Sequence, residues 1–131
     1  MKSESELLYA ELTREIIGSF YDVYREVGSG RLEVLYQRAM AIALEDKGLA
    51  CQREVPTSVH FRGHLIGAFR MDLIVENRVI VECKIAERIV AAHRVQSLNY
   101  LRASNLPIAL ILNFGTSPTF SRLINDPARA R

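Results

Sequence analysis

The spacing of apolar residues changes period twice along this chain. From about residue 5 to 27, Leu8, Leu12, Ile16, Phe20, Val23 and Val27 recur at helical spacing, and Gly28-Ser29-Gly30 breaks the run. A second helix is predicted from about Leu32 to Lys47. Its stripe is Leu32, Leu35, Tyr36, Ala39, Ile42 and Ala43, and Gly48 stands where a helix C-cap belongs. The period then drops to two. Val55, Thr57, Val59 and Phe61 alternate, and Arg62-Gly63 marks a turn. A longer strand runs from about Leu65 to Val75, Glu76-Asn77-Arg78 turns, and Val79 to Ile85 returns. Val90 to Ala103 is helical again, and Ile108–Leu112 is a continuous apolar run expected to form a buried strand. Phe120–Ile124 fits a last short strand. The order α-α-β-β-β-α-β predicts an α/β fold with helices covering a sheet. Residues 1–125 are expected to form one domain, with residues 126–131 a loose C-terminal tail.

Composition narrows the class. The chain has 131 residues, 49% of them hydrophobic and 24% charged, which excludes disordered, collagen-like and coiled-coil classes. No apolar run approaches the ~18 residues of a membrane helix. The start, MKSESELLYAEL, is acidic and helical, unlike a signal peptide. Cys51 and Cys83 build neither a disulfide framework nor a zinc spacing, so a cytoplasmic setting is expected. The net charge of +2 hides an asymmetry: residues 1–50 hold 6 basic and 9 acidic side chains, and residues 51–131 hold 11 and 6. Of the 17 basic residues 14 are Arg, whose fork pairs with phosphate oxygens.

The segment RMDLIVENRVIVECKI, residues 70–85, is the most informative. A hairpin with a three-residue loop pairs Val75 with Val79, and then Ile74 with Ile80, Asp72 with Glu82 and Arg70 with Lys84. Ile74, Ile80, Asp72, Glu82, Arg70 and Lys84 then share one face, and Phe69, Met71, Leu73, Val81, Cys83 and Ile85 share the other. Asp72 and Glu82 would then lie about 5 Å apart at Cβ and repel. A divalent cation is one compensation, since Mg²⁺ takes carboxylate, water and phosphate oxygens. With Lys84 on the same face, this is apparatus for phosphodiester hydrolysis. The same four charges also read as a solvated face with diagonal ion pairs, each worth ~0–1 kcal/mol.

Further residues bear on the choice. His93, Gln96 and Tyr100 share a helix face, beside a stripe of Ala91, Val95 and Leu98 able to pack on the sheet. Glu33 stands in the first turn of the second helix, with Tyr36 one turn on. As ordinary structure, these are a solvent-facing Gln and His, an acid favoured by the helix dipole, and a core aromatic.

Together, Gly30-x-x-Glu33-x-x-Tyr36, Asp72, Glu82-Cys83-Lys84, Gln96-Ser97-Leu98-Asn99-Tyr100-Leu101 and Leu112-Asn113-Phe114-Gly115 resemble the GxxExxY protein family. That family is similar to the PD-(D/E)XK nuclease-like superfamily, and the likeness spans roughly residues 8–125. The resemblance implies a restriction-endonuclease-like core, α-β-β-β-α-β, with an additional N-terminal helix. It also implies that Asp72 and Glu82, with the Cys83 carbonyl and Glu33, hold Mg²⁺ or Mn²⁺. Lys84 matches the catalytic lysine, and Gln96 with Tyr100 matches a Gln-x-x-x-Tyr helix motif. Met71 replaces the Pro of the superfamily's name. The function expected is a metal-dependent nuclease, on DNA rather than RNA, with Arg88, His93 and Arg94 touching the backbone beside Tyr100. The alternative is a catalytically inactive module of the same fold that binds nucleic acid or a protein. A homodimer through helix 5–27 would enlarge the small binding surface.

Overall fold

The computed structural model describes residues 4–125. The tail expected at residues 126–131 lies outside the described residues. The elements are α1 (Glu4–Val27), α2 (Glu33–Asp46), β1 (Cys51–Phe61), β2 (His64–Val75), β3 (Val79–Lys84), α3 (Ala91–Ser104), β4 (Ile108–Asn113) and β5 (Thr119–Ile124). The strands form one five-stranded sheet in the order β1-β2-β3-β4-β5. The fold is α/β and of the restriction-endonuclease-like kind, with α1 as the additional N-terminal helix. All neighbours are antiparallel except β3 and β4, which run parallel with α3 as the crossover.

Helices α1 and α2 cover one face. Leu12, Ile16, Phe20 and Val23 of α1 are buried with Tyr36, Met40 and Leu44 of α2 over Leu73, Val79, Val81, Cys83, Leu110 and Leu112. The α1 stripe is the one its spacing predicts. The α2 stripe is so only in part. Tyr36 is buried and Ala39 and Ala43 pack on the core as predicted, but Leu32, Leu35 and Ile42 are exposed, and Gln37, Met40, Ala41 and Leu44 are buried in their place. Apolar residues occupy two sides of α2, and contact with α1 selects between them.

Helix α3 covers the other face, where Tyr100 and Leu101 pack on Met71, Ile74, Ile80 and Ala109. Ser97, Tyr100 and Leu101 are its buried positions, while Ala91 and Val95 are exposed, contrary to the predicted stripe. The sheet-facing side of α3 is thus the side that carries Gln96.

The predicted hairpin register holds at Val75↔Val79, Ile74↔Ile80 and Leu73↔Val81, and the ladder stops there. Arg70 does not reach Lys84; it pairs with Pro56 of β1. The alternation of faces also breaks. Met71 and Phe69 lie on the α3 face with Ile74 and Ile80, not with Leu73 and Val81. The break coincides with an irregularity in the β1–β2 ladder: Glu54 of β1 has φ 53°, and no Glu54–Asp72 pair forms between Arg53↔Leu73 and Val55↔Met71. Within β1 this left-handed residue separates Cys51, packed on the α1–α2 side, from Val55, packed on the α3 side.

Candidate active site

Where the β2–β3 ladder ends, side chains replace backbone as hydrogen-bond partners. The Cys83 N–H donates to the Asp72 carboxylate at 2.8 Å, and the Asp72 N–H donates to Glu82 Oε1 at 3.3 Å. The two acids therefore lie across the point where the strands part. Glu82 is only 2% exposed. Burial first, and then the charge of Asp72, push its carboxyl up to about 9. This is a like-charge pair held together by the strands that carry it.

Lys84 stands two residues on, at the mouth of the site. Its Nζ donates to Gln96 Oε1 at 2.9 Å. The diagonal ion pairs of a solvated charged face are not formed: the described ion pairs are Arg25–Asp22 and Lys47–Glu15, both remote. Gln96 reaches Lys84 because Tyr100 and Leu101, one turn further along α3, anchor that side of the helix to the sheet. Tyr100 is buried, with its ring 5.0 Å from that of Phe69. Burial, and then the charges of Glu82 and Asp72, raise its hydroxyl pKa, so the ring borders the acids from within the core.

Glu33 reaches the same end of β3 from the opposite face. Its Oε1 accepts from the Ile85 N–H at 3.3 Å. The glycine loop before it explains the placement. Gly28 and Gly30 take φ 77° and 86°, and the Tyr36 hydroxyl donates to the Gly28 carbonyl and accepts from the Arg31 N–H. Tyr36 also stacks on Phe114 at 4.4 Å. The Gly-x-x-Glu-x-x-Tyr spacing is thus a clamp that fixes the first turn of α2 against the end of β3.

The remaining expected residues make their described contacts away from the acid pair. Arg88 is exposed in the β3–α3 loop. Arg94 Nε donates to Ser121 of β5, and His93 Nδ1 accepts from the Val90 N–H, capping α3. Concavities of about 430 and 230 Å³ flank the β2–β3 turn at the opposite end of β3. Neither contains any of these residues.

Asn113 entered the sequence reading only within the Leu112-Asn113-Phe114-Gly115 run, with no role of its own. It is fully buried, accepts from the N–H groups of Ala86 and Gly115, and donates to the Ala86 carbonyl and Thr119 Oγ1. It brackets the segment that leaves Lys84. Gly115 completes the bracket, since a Cβ there would lie 2.1 Å from the Ala86 carbonyl oxygen. The signal in the sequence was a lone polar residue closing the apolar run Ile108–Leu112.

The donors suit a hard divalent cation, because two carboxylates forced together invite a shared positive charge. Among the described residues no three His, Cys, Asp or Glu side chains gather as a ligand set. A third protein ligand would have to be a backbone carbonyl, such as that of Cys83, or Glu33 after leaving Ile85.

A profile of the PD-(D/E)XK nuclease superfamily matches residues 10–123. The chain belongs to the PD-(D/E)XK nuclease superfamily. Among curated proteins none matches it. The crystal structure of SSO0001 is similar at a TM-score of 0.48 and 15% identity, over 85% of this chain and 63% of that one. The chain thus spans under two thirds of that structure. No helix among the described residues is long and apolar enough to cross a membrane.

Proposed function

We propose that this chain is an Mg²⁺- or Mn²⁺-dependent nuclease of the GxxExxY type that hydrolyses phosphodiester bonds in DNA. The observation that carries the reading is the contact of Asp72 with Glu82 beside a lysine tethered by Gln96. Asp72, Glu82 and the Cys83 carbonyl would hold the cation. When bound, it supplies Lewis-acid stabilisation of charge on phosphoryl oxygen. Lys84 orients the attacking water and offsets charge developing at phosphorus. Gln96 holds the Lys84 ammonium in place, and Tyr100 limits water behind the acids. Arg88, His93 and Arg94 form the rim across which the phosphate backbone runs. The test is cleavage of labelled DNA with Mn²⁺. The wild type cuts and Lys84→Ala does not; equal inertness on single-stranded, duplex and branched DNA rejects the proposal.

One observation favours a second reading, an inactive module of this fold. Glu33, the nearest further carboxylate, is engaged with Ile85 rather than with the acid pair. Thermal melting separates the two. A cation at a hundredfold excess over Kd stabilises by about 2.7 kcal/mol. Under the nuclease reading, millimolar Mn²⁺ raises the wild-type melting temperature and leaves that of Glu82→Gln unchanged. An unmoved wild type favours the module.

A further inference from the structure

The β1–β2 hairpin runs far beyond the rest of the sheet. Its ladder extends from Cys51↔Val75 to Phe61↔His64, whereas β3 pairs with β2 only at Leu73–Val75. Residues 56–70 therefore form a free two-stranded arm. About eight residues at ~3.3 Å each give it a reach of roughly 26 Å. Its root is fixed by the packing of Phe69 on Tyr100. Beyond that root no residue from Ser58 to Ala68 is buried, and Phe61, Leu65 and Ile66 are 55%, 64% and 63% exposed. The tip is a tight turn with Arg62 and Gly63 at φ 49° and 80°, as two-residue hairpins require. A bulge between Val59 and His60 bends it.

The composition of the arm is one-signed. From Val55 to Met71 there is no Asp or Glu, and the ionisable groups are His60, Arg62, His64 and Arg70. The arm grows from the strand that carries Asp72, with Arg70 two residues from that acid and Arg62 at the far tip, so a duplex lying along the arm extends toward the acid pair. We propose that this arm is a groove-binding β-ribbon for duplex DNA, which Arg62 and Arg70 hold by the phosphates while the apolar tip enters the groove. A B-form major groove about 12 Å wide admits a two-stranded ribbon, and the deep, narrow groove of A-form RNA does not. The inference rests on the nuclease reading for its purpose and sharpens the substrate to duplex DNA.

The test measures binding of a labelled DNA duplex of about 20 base pairs in EDTA, by fluorescence anisotropy across a salt series. The proteins are wild type, Arg62→Ser/Arg70→Ser, and a variant with Val59–Gly67 replaced by Asn-Gly. Circular dichroism checks their folding. Loss of two phosphate contacts flattens the slope of log K against log salt by about 2 and weakens binding roughly tenfold or more. The shortened arm weakens DNA binding similarly, and double-stranded RNA binding is unaffected in both. Unchanged DNA affinity and slope overturn the proposal. So does a variant that turns a dimer into a monomer without losing DNA, which would make the ribbon a self-association element. Hydrolysis of bis(4-nitrophenyl) phosphate with Mn²⁺ is measured in parallel, because that small diester needs no groove. If no protein hydrolyses it, the nuclease reading fails while the binding result still decides the role of the arm.

Discussion

The Asp72 carboxylate accepts a hydrogen bond from the backbone N–H of Cys83, the residue between Glu82 and Lys84. One contact thereby sets the position of all three charged groups. It uses one oxygen of Asp72 and leaves the second free for another partner. It also occurs where the backbone ladder has ended, so the strands can part without leaving the Cys83 donor unpaired.

The acid pair gives the cation-free protein a pH signature. The Glu82 pKa is raised from 4.5 to about 9. Below about 4.5 the group is protonated in both folded and unfolded chains, and the fold keeps its full stability. Between about 4.5 and 9 the unfolded chain gives up the proton and the folded chain retains it, so stability falls as pH rises. Urea melts in EDTA at pH 5, 7 and 9 show this decline, and Glu82→Gln reduces it. At pH 7 that variant is more stable than wild type by about 1–3 kcal/mol.

Gln96 acts on the reaction only through Lys84. Gln96→Ala frees the ammonium and lowers single-turnover cleavage by roughly tenfold to a hundredfold, the usual cost of losing a supporting partner. Its urea midpoint stays near that of wild type, because Gln96 is only half-buried and its side chain is outside the apolar core.

Asn113 is a structural bracket. Asn113→Ala strands two backbone donors and a carbonyl at Ala86 and Gly115, and costs about 2–4 kcal/mol in urea unfolding. Gly115→Ala is also strongly destabilising, since the Ala86 backbone must move.

The Tyr36 hydroxyl and ring contribute separately. Tyr36→Phe loses the bonds to Gly28 and Arg31 but keeps the stack on Phe114, and costs about 1 kcal/mol. Tyr36→Ala loses both and costs about 3–5 kcal/mol. Chemical denaturation of the two variants resolves the difference.

The sequence made the order of elements legible because each is strongly periodic, and the turn Glu76-Asn77-Arg78 fixed the register that opposes Asp72 to Glu82. Gln96 beside Lys84 was legible from the family motif more than from physics, since an isolated Gln on a helix has no burial preference. The buried side of α2 was hidden by apolar residues on two faces, a choice made by α1. The reset of alternation near Met71 was hidden because no turn residue marks it, and the left-handed position beside it, Glu54 of β1, is of a type that does not demand φ > 0. Asn113 was hidden because its four partners converge only after β4 and β5 have paired.

The proposed chemistry stands on Asp72 and Glu82 sharing a divalent cation beside Lys84. Anomalous diffraction from crystals soaked in Mn²⁺ tests it most directly. One peak in contact with both carboxylates, lost in Asp72→Asn crystals, is the expected result. Full soaking with no peak between those two side chains, or a peak bound elsewhere that persists in the variant, contradicts it.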